Sequence, residues 1–536
     1  MTGRIMKNHI RFRNAALAPL APFALCLAHL VAGCGAPPVD PPTNKEEPRP
    51  ADPTNRALVF VHDPITDGAP REISLEAPTT ADGTLTNASV NALNCTQQDG
   101  GPDLFGFATL CLEESSVIPD ADGSYLSRLP PEDFSDGQDP FAQVQMYHHV
   151  NVIHDYFKNS FGFTGLDFPL DAVVNLMFNQ GGTWQPFPNA AFIPEESFAA
   201  FGLAPRPNGA IMFGQGADVD FSYDASVIYH EYTHAMVGPN RMNGVNLKET
   251  GLDNTPGAMN EGLADYFASS LLDDAFLGRY ALGAQGRDLE ASRSCPADLT
   301  TEIHADGKII STALWEIRTA LGKEVADGLA FRAVQSSNGG TGLDEMGELV
   351  RAEAAALGDD VLAIVEPILA AHGVTGCVRT RPWVNVNFAQ TPEQVPHQVE
   401  GTQAVQGGGG FADGVPGYHQ WFVDVPAGQS VQLGWTFAPA GGFGAPPAGA
   451  LHLGVRSGAV VQLNGDGSVN ADAIVDNATF ANSTQGITLS GNCVPAAGGR
   501  VFLLFLNPNA GGSGVSTMTI SLVDAPAADA VIATCN

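Results

Sequence analysis

Basic residues are scarce in this chain: 25 Lys and Arg stand against 58 Asp and Glu in 536 residues, a formal charge of −33. A surface of that sign repels phosphate backbones, which argues against nucleic acid as a partner. Charge of either sign is sparse, at 15%, beside 44% hydrophobic residues. Disordered chains have the opposite balance, so this one folds. Beyond the N-terminus no apolar run is long enough to span a bilayer. No cysteine pair has the short CxxC spacing of a thiolate metal site. What is abundant is Gly (60) and Pro (38), the mark of many turns and a large β content. The length exceeds one ordinary core, so two or three domains are expected.

The N-terminus carries Arg4, Lys7, Arg11 and Arg13, then an apolar run from Ala15 to Gly33 that ends in small residues. That is the layout of a secretory signal peptide over 1–33. Val31-Ala32-Gly33-Cys34 resembles the lipobox of bacterial lipoproteins, which implies that Cys34 is acylated and that a lipid anchor is the only contact with a membrane. A Pro-rich tether, 34–56, follows as an anchored domain needs. The expected location is the bacterial cell envelope, as an outer-membrane lipoprotein, or the secreted fraction. Setting aside Cys26 and Cys34 leaves six cysteines, an even set that suggests disulfides in an exported chain. Many pairings are open; sequence neighbours favour Cys95–Cys111, Cys295–Cys377 and Cys493–Cys535.

Residues 57–136 show short strand patterns between turn signals. From Phe141 the texture turns helical: Val144, Tyr147, His148, Val152, Asp155 and Tyr156 keep helical spacing until Gly162. A strand over 172–178 and another over 210–213 follow. A helix is expected over 224–237, capped by Asp224 and stopped by Gly238-Pro239. More helices are expected over 258–272, 307–321, 324–336 and 343–371. Beyond Cys377, runs such as Trp421 to Val425 and Val501 to Leu506 alternate with turn residues. This region, 377–536, reads as a separate all-β sandwich.

The decisive feature is His230-Glu231-Tyr232-Thr233-His234. Residues i and i+4 share a helix face, so both imidazoles can address one ion, and Zn²⁺ suits neutral imidazole nitrogen. Glu231, one step round the helix, is placed to reach a water and not the metal. A catalytic zinc site needs a third protein ligand. Asn260-Glu261-Gly262-Leu263-Ala264-Asp265 supplies it, with two carboxylates at i and i+4 in an otherwise small, apolar segment. Glu261 is the candidate ligand, and Asp265 the acceptor for the free N–H of a ligand His, His230. His148, His149 and His154 do not share one helix face, so packing or surface roles are expected for them.

This motif, with Glu261 following His234 in Gly257-Ala258-Met259-Asn260-Glu261-Gly262-Leu263-Ala264-Asp265, resembles the thermolysin and fungalysin metallopeptidases, the Glu-zincins. The segment from Val144 to Lys158 with Phe161-Gly162-Phe163 is closer to the fungalysin-like branch. The resemblance covers about 137–375. It implies an α+β catalytic domain over 57–376, two-lobed as in thermolysin, with a β-rich N-terminal part and a helical core over 137–376. It implies His230, His234 and Glu261 as zinc ligands, Glu231 as general base and Asp265 behind them. It further implies that His304 stabilises the tetrahedral intermediate and that Asn189 and Ala190 bind extended peptide by strand addition. A calcium ion near Asp273, Asp274 or Asp298 is compatible with the family, although no EF-hand loop is present. The C-terminal region faintly resembles pre-peptidase C-terminal domains.

The expected activity is zinc-dependent endopeptidase action on extracellular proteins and peptides. Two departures from the family motivate a rival. No Tyr follows His234 where thermolysin-like enzymes carry an oxyanion donor, and no room exists for the usual long propeptide. The rival is a peptidase-like surface lipoprotein that acts as a binding or adhesion module. An aminopeptidase is a third reading, without an acidic motif to dock a substrate amine.

Overall fold

The computed structural model describes residues 54–535 apart from short internal segments, of which 440–451 and 477–486 are the longest. Cys34 and the signal and tether segments before residue 54 lie outside the described residues.

Strands β1 (Arg56–Val59) and β2 (Arg71–Ser74) pair antiparallel around a one-turn helix, α1 (Pro64–Asp67). The main N-terminal sheet is built from β3 (Val90–Leu104), β4 (Ala108–Glu114), β5 (Leu170–Val174), β6 (Met177–Gln180), β7 (Thr183–Pro186), β8 (Ala190–Ile193) and β9 (Ala210–Phe213). Its order is β7-β6-β4-β3-β5-β9-β8, which leaves β8 at an edge. β3–β5 and β5–β9 are parallel, whereas β8 runs antiparallel to β9 with Phe192 opposite Ile211. The single strand expected over 172–178 is two strands. Asn175 takes a left-handed φ of 57° between them, a conformation Asn tolerates and most residues do not.

Helix α2 (Pro140–Phe161) packs on this sheet. Asp139 caps its start by accepting from Phe141 N (2.8 Å), and Gly162 closes it in the left-handed region. It is buried round most of its circumference, so its polar side chains bond the sheet backbone: Gln143 and Gln145 donate to the carbonyls of Ala92 and Phe60, each at 2.7 Å. His149 lies in the same layer against the Tyr229 hydroxyl (2.8 Å), and His154 faces Asp167 (2.9 Å). These are packing roles.

After a short helix, α3 (Glu195–Phe198), the chain is largely helical: α4 (Ala225–Val237), α5 (Thr255–Leu272), α6 (Ile303–Leu321), α7 (Lys323–Ser336), α8 (Leu343–Leu357) and α9 (Asp359–Ala371). A hairpin, β10 (Val245–Lys248) and β11 (Gly251–Asp253), joins α4 to α5. Three boundaries differ from expectation; α5, expected from 258, begins at Thr255 with Pro256 in its first turn. The segment 343–371 breaks at Gly358, whose φ of 126° no L-residue adopts easily. α6 begins four residues early because the Glu302 carboxylate accepts from the amides of His304 and Ala305. One hydrophobic cluster runs from Ala57 through α2, α4, α5 and α6 to Val374, so sheet and helices share a core.

The helices meet closely where side chains are absent. A methyl on Gly307 would lie 2.8 Å from the Ala258 carbonyl oxygen and from the Gly262 nitrogen, and one on Gly262 would overlap the Gly307 carbonyl. This Gly–Gly contact lets α6 lie directly on α5.

Beyond Cys377 the described elements are strands. A five-stranded sheet takes the order Thr380–Pro382, Val415–Val425, Gly499–Asn507, His452–Ser457, Ala473–Asp476. A second sheet centres on Ser430–Pro439 between Gly514–Val523 and Ile487–Gly491. Trp421, Val423 and Leu503 from the first join Val431, Leu433 and Ile520 from the second in one hydrophobic cluster. The first sheet also contacts the helical part, since Leu252 of β11 and Val415 form a cluster of their own. Cys95–Cys111 and Cys295–Cys377 are disulfides. Cys493 is disulfide-bonded too, and the side chain of Cys535, its expected partner, is outside the described ones.

Candidate metal centre and its surroundings

Asp224 sets the start of α4. Its carboxylate accepts from Ser226 N (3.1 Å) in the first turn and from Tyr280 N (3.2 Å) and Ala281 N (3.1 Å) of a neighbouring loop. From that anchored end, one and a half turns bring His230 to the cleft, and one more turn brings His234 beside it. Their Nε2 atoms are 3.0 Å apart. Glu261, from α5, reaches the same point: its Oε2 lies 3.2 Å from His230 Nε2 and 3.7 Å from His234 Nε2. Among the described residues this is the one trio of His, Cys, Asp or Glu gathered closely enough to hold an ion.

The donor set can be tested against zinc. Tetrahedral bonds of about 2.0–2.1 Å give ligand-to-ligand edges of roughly 3.3 Å. The three observed separations bracket that length, and the atoms are two imidazole nitrogens and a carboxylate oxygen. Glu261 Oε2 is also buried with imidazole nitrogens around it, an acceptor placed for a cation. The trio fits the ion.

The other ring nitrogens are occupied. His230 Nδ1 is 2.9 Å from Asp265 Oδ1, and Asp265 is wholly buried. His234 Nδ1 is 2.8 Å from Asn260 Oδ1. With both Nδ1 atoms facing acceptors, both Nε2 lone pairs are left for a metal. Burial alone would lower the pKa of His230, but Asp265 and Glu261 outweigh it and hold the ring at about 9. Burial likewise pushes Glu261 up, yet His304, His234 and His230 bring it well below the usual carboxylate range. Both shifts describe a pocket whose field favours positive charge.

Glu231 is 7% exposed, and its Oε2 accepts from the Phe192 amide of edge strand β8 at 2.8 Å. Ala190, two residues earlier on that strand, is buried; Asn189, before it, is exposed, with its carbonyl taken by Gly214 N (3.0 Å). His304 sits in the first turn of α6, half-exposed, with Nε2 3.4 Å from Glu261 Oε2 and Nδ1 2.6 Å from Glu302. The Glu261 charge, opposed by burial, raises its pKa. Asp273, Asp274 and Asp298 do not gather: they pair separately with Arg318, Arg279 and Arg293.

Three residues around the trio carry no role in the sequence reading. Asn260 precedes Glu261 in the quoted motif, and only its distance from His234 reveals its task. Phe192 contributes a backbone amide, which side-chain chemistry cannot announce. Arg287, in the short strand Arg287–Asp288 after α5, lies 2.9 Å from Asp265 Oδ1 and is largely buried. It neutralises the carboxylate behind His230, and no local pattern marks it.

No curated protein matches the chain. Residues 121–343, which hold the trio, Glu231, His304 and β8, match the family model of the fungalysin metallopeptidases (M36), so over that span the chain is similar to a family of zinc peptidases.

Proposed function

We propose that the chain is a zinc-dependent endopeptidase, with His230, His234 and Glu261 holding the metal and Glu231 acting as general base. The observation that carries this reading is the convergence of the three donor atoms at tetrahedral edge lengths, with a second carboxylate, Glu231, on the helix that carries the two histidines. Bound zinc would supply Lewis acidity toward a substrate carbonyl and lower the pKa of a water to about 7. Glu231 is held at one oxygen by the Phe192 amide, which leaves Oε1 to take the proton of the attacking water and pass it to the leaving amine. His304, with its pKa raised, donates to the oxygen of the tetrahedral intermediate.

Substrate recognition follows from β8. The Phe192 amide points away from β9, and alternation along a strand turns the backbone of Ala190 to the same open side. An extended peptide adds there as a further strand, with Asn189 at its end. In the same proposal 57–376 is the catalytic domain, two-lobed in the thermolysin manner, and 377–536 a β-sandwich appended to it. Two disulfides support an oxidising compartment, and with it export and extracellular protein substrates; acylation at Cys34 rests on the lipobox-like Val31-Ala32-Gly33-Cys34.

The test is Glu231→Gln, assayed for zinc content and for hydrolysis of an N-blocked peptide. Zinc is retained, while turnover falls by on the order of 10²–10⁴-fold. Equal cleavage by both proteins overturns the role of Glu231. A wild-type chain that holds zinc yet cleaves nothing instead supports a binding module.

A further inference from the structure

The segments that lead into the two helices carrying Glu261 and His304 are both touched by residues of the C-terminal region. Arg379, one residue before the strand Thr380–Pro382, is 5% exposed and lies 2.5 Å from Asp253, which is wholly buried at the end of β11. The same Arg379 nitrogen reaches Thr255 Oγ1 at 3.0 Å. Asp253 in turn accepts from Thr255 N (2.8 Å) and Thr255 Oγ1 (2.6 Å), so it holds the first residue of α5. Arg379 is itself tied into the sheet, because its carbonyl accepts from Gln420 N at 3.1 Å. The Gln420 side chain donates to the Thr250 carbonyl of the hairpin (2.9 Å). Arg381 donates to the Leu299 carbonyl in the loop before α6.

From Thr255 to Glu261 is six residues of helix, roughly 9 Å of rigid rod. A shift of the first turn is therefore carried to the carboxylate. We propose that the C-terminal sheet is a working part of the metal centre, with Arg379 as a positioning residue that fixes α5 through Asp253 and Thr255. The chemistry of the junction argues for this and against a loosely tethered accessory. A fully buried carboxylate and a nearly buried guanidinium need each other, and each comes from a different part of the chain. The consequence for metal affinity rests on the zinc reading above; the bracing of α5 does not.

The experiment uses the full chain with Arg379→Gln and with Arg379→Lys, which restores a charge opposite Asp253. Hydrogen exchange is followed at the amides of residues 258–265, with α9 as internal reference, and zinc affinity is measured by competition with a chromophoric chelator. In Arg379→Gln the α5 amides exchange at least roughly tenfold faster relative to α9, and zinc affinity falls about tenfold or more. Arg379→Lys recovers most of both. Unchanged relative exchange in α5 overturns the proposal, even where the thermal midpoint falls, and so does unchanged zinc affinity. Should Arg379→Gln fail to fold, the neutral pair Asp253→Asn with Arg379→Gln is judged by the same two criteria. A wild-type chain that binds no zinc defeats the reading of the site, and the exchange measurement still decides the brace.

Discussion

Buried carboxylates do two different jobs in this protein. Asp265 lies between His230 and Arg287 and so is compensated by positive charge on both sides. Asp220, just before α4, has no such neighbour among the described residues: burial pushes its pKa up to about 7, although Ser222 and Gln215 donate to it. The sign of the consequence follows by linkage. A folded-state pKa above the unfolded value favours the native state below the unfolded value, near pH 4, and that contribution is lost as pH rises through about 7. Asp220→Asn keeps an acceptor for Ser222 and removes the charge. Its thermal midpoint relative to wild type should improve on going from about pH 5 to about pH 8. Scans at the two pH values check this, and an equal difference at both defeats it. The residues of the metal trio are legible in the sequence because His230 and His234, like Glu261 and Asp265, stand at i, i+4 on a helix, and that spacing is a local signal. Arg287 and Asp220 were not, since burial and charge partners depend on which distant segments meet.

At the level of elements, the site depends on how closely two helices approach. Gly262 and Gly307 face each other where α5 crosses α6, and the contact sets His304 within 3.4 Å of Glu261. Gly262→Ala must either push α6 away or distort α5, because the nearest atom is the Gly307 carbonyl oxygen. A cost of about 1–3 kcal/mol is expected from overpacking, measured by denaturant unfolding. Helix propensity alone would favour Ala there by about 1 kcal/mol, so a stabilised variant would show that the helices have room to separate. Periodicity located these helices, and Asp224 was visible as a cap. The early start of α6 was not, because it depends on Glu302 folding back onto the amides of His304 and Ala305. The break at Gly358 and the kink at Asn175 were equally hidden: one residue's backbone angle divides a continuous apolar pattern.

Across the whole molecule, the change of texture at Cys377 marks where helices give way to strands, and the sequence shows it plainly. Nothing local reveals that the strands dock on the β10–β11 hairpin, since Arg379 and Asp253 are separated by well over a hundred residues. The Cys295–Cys377 disulfide ties the same junction covalently, joining the loop before α6 to the first residues of the C-terminal region across a separation of 82. In the loop-entropy picture a cross-link of that span restricts the unfolded chain by about 4–5 kcal/mol. The pairing of Cys295→Ser with Cys377→Ser should therefore lower unfolding free energy by about 2–5 kcal/mol in urea. Where that loss appears separates two arrangements. If helices and strands unfold as one unit through the shared junction, the transition moves to lower urea and stays single. If the C-terminal sheets are independent, a helical transition moves alone while the strand signal keeps its midpoint. Buried ion pairing at Asp253 and the bond from the Gln420 side chain to the Thr250 carbonyl both argue for the single transition, and two separated transitions in the cross-linked wild type would remove the ground for treating the junction as rigid.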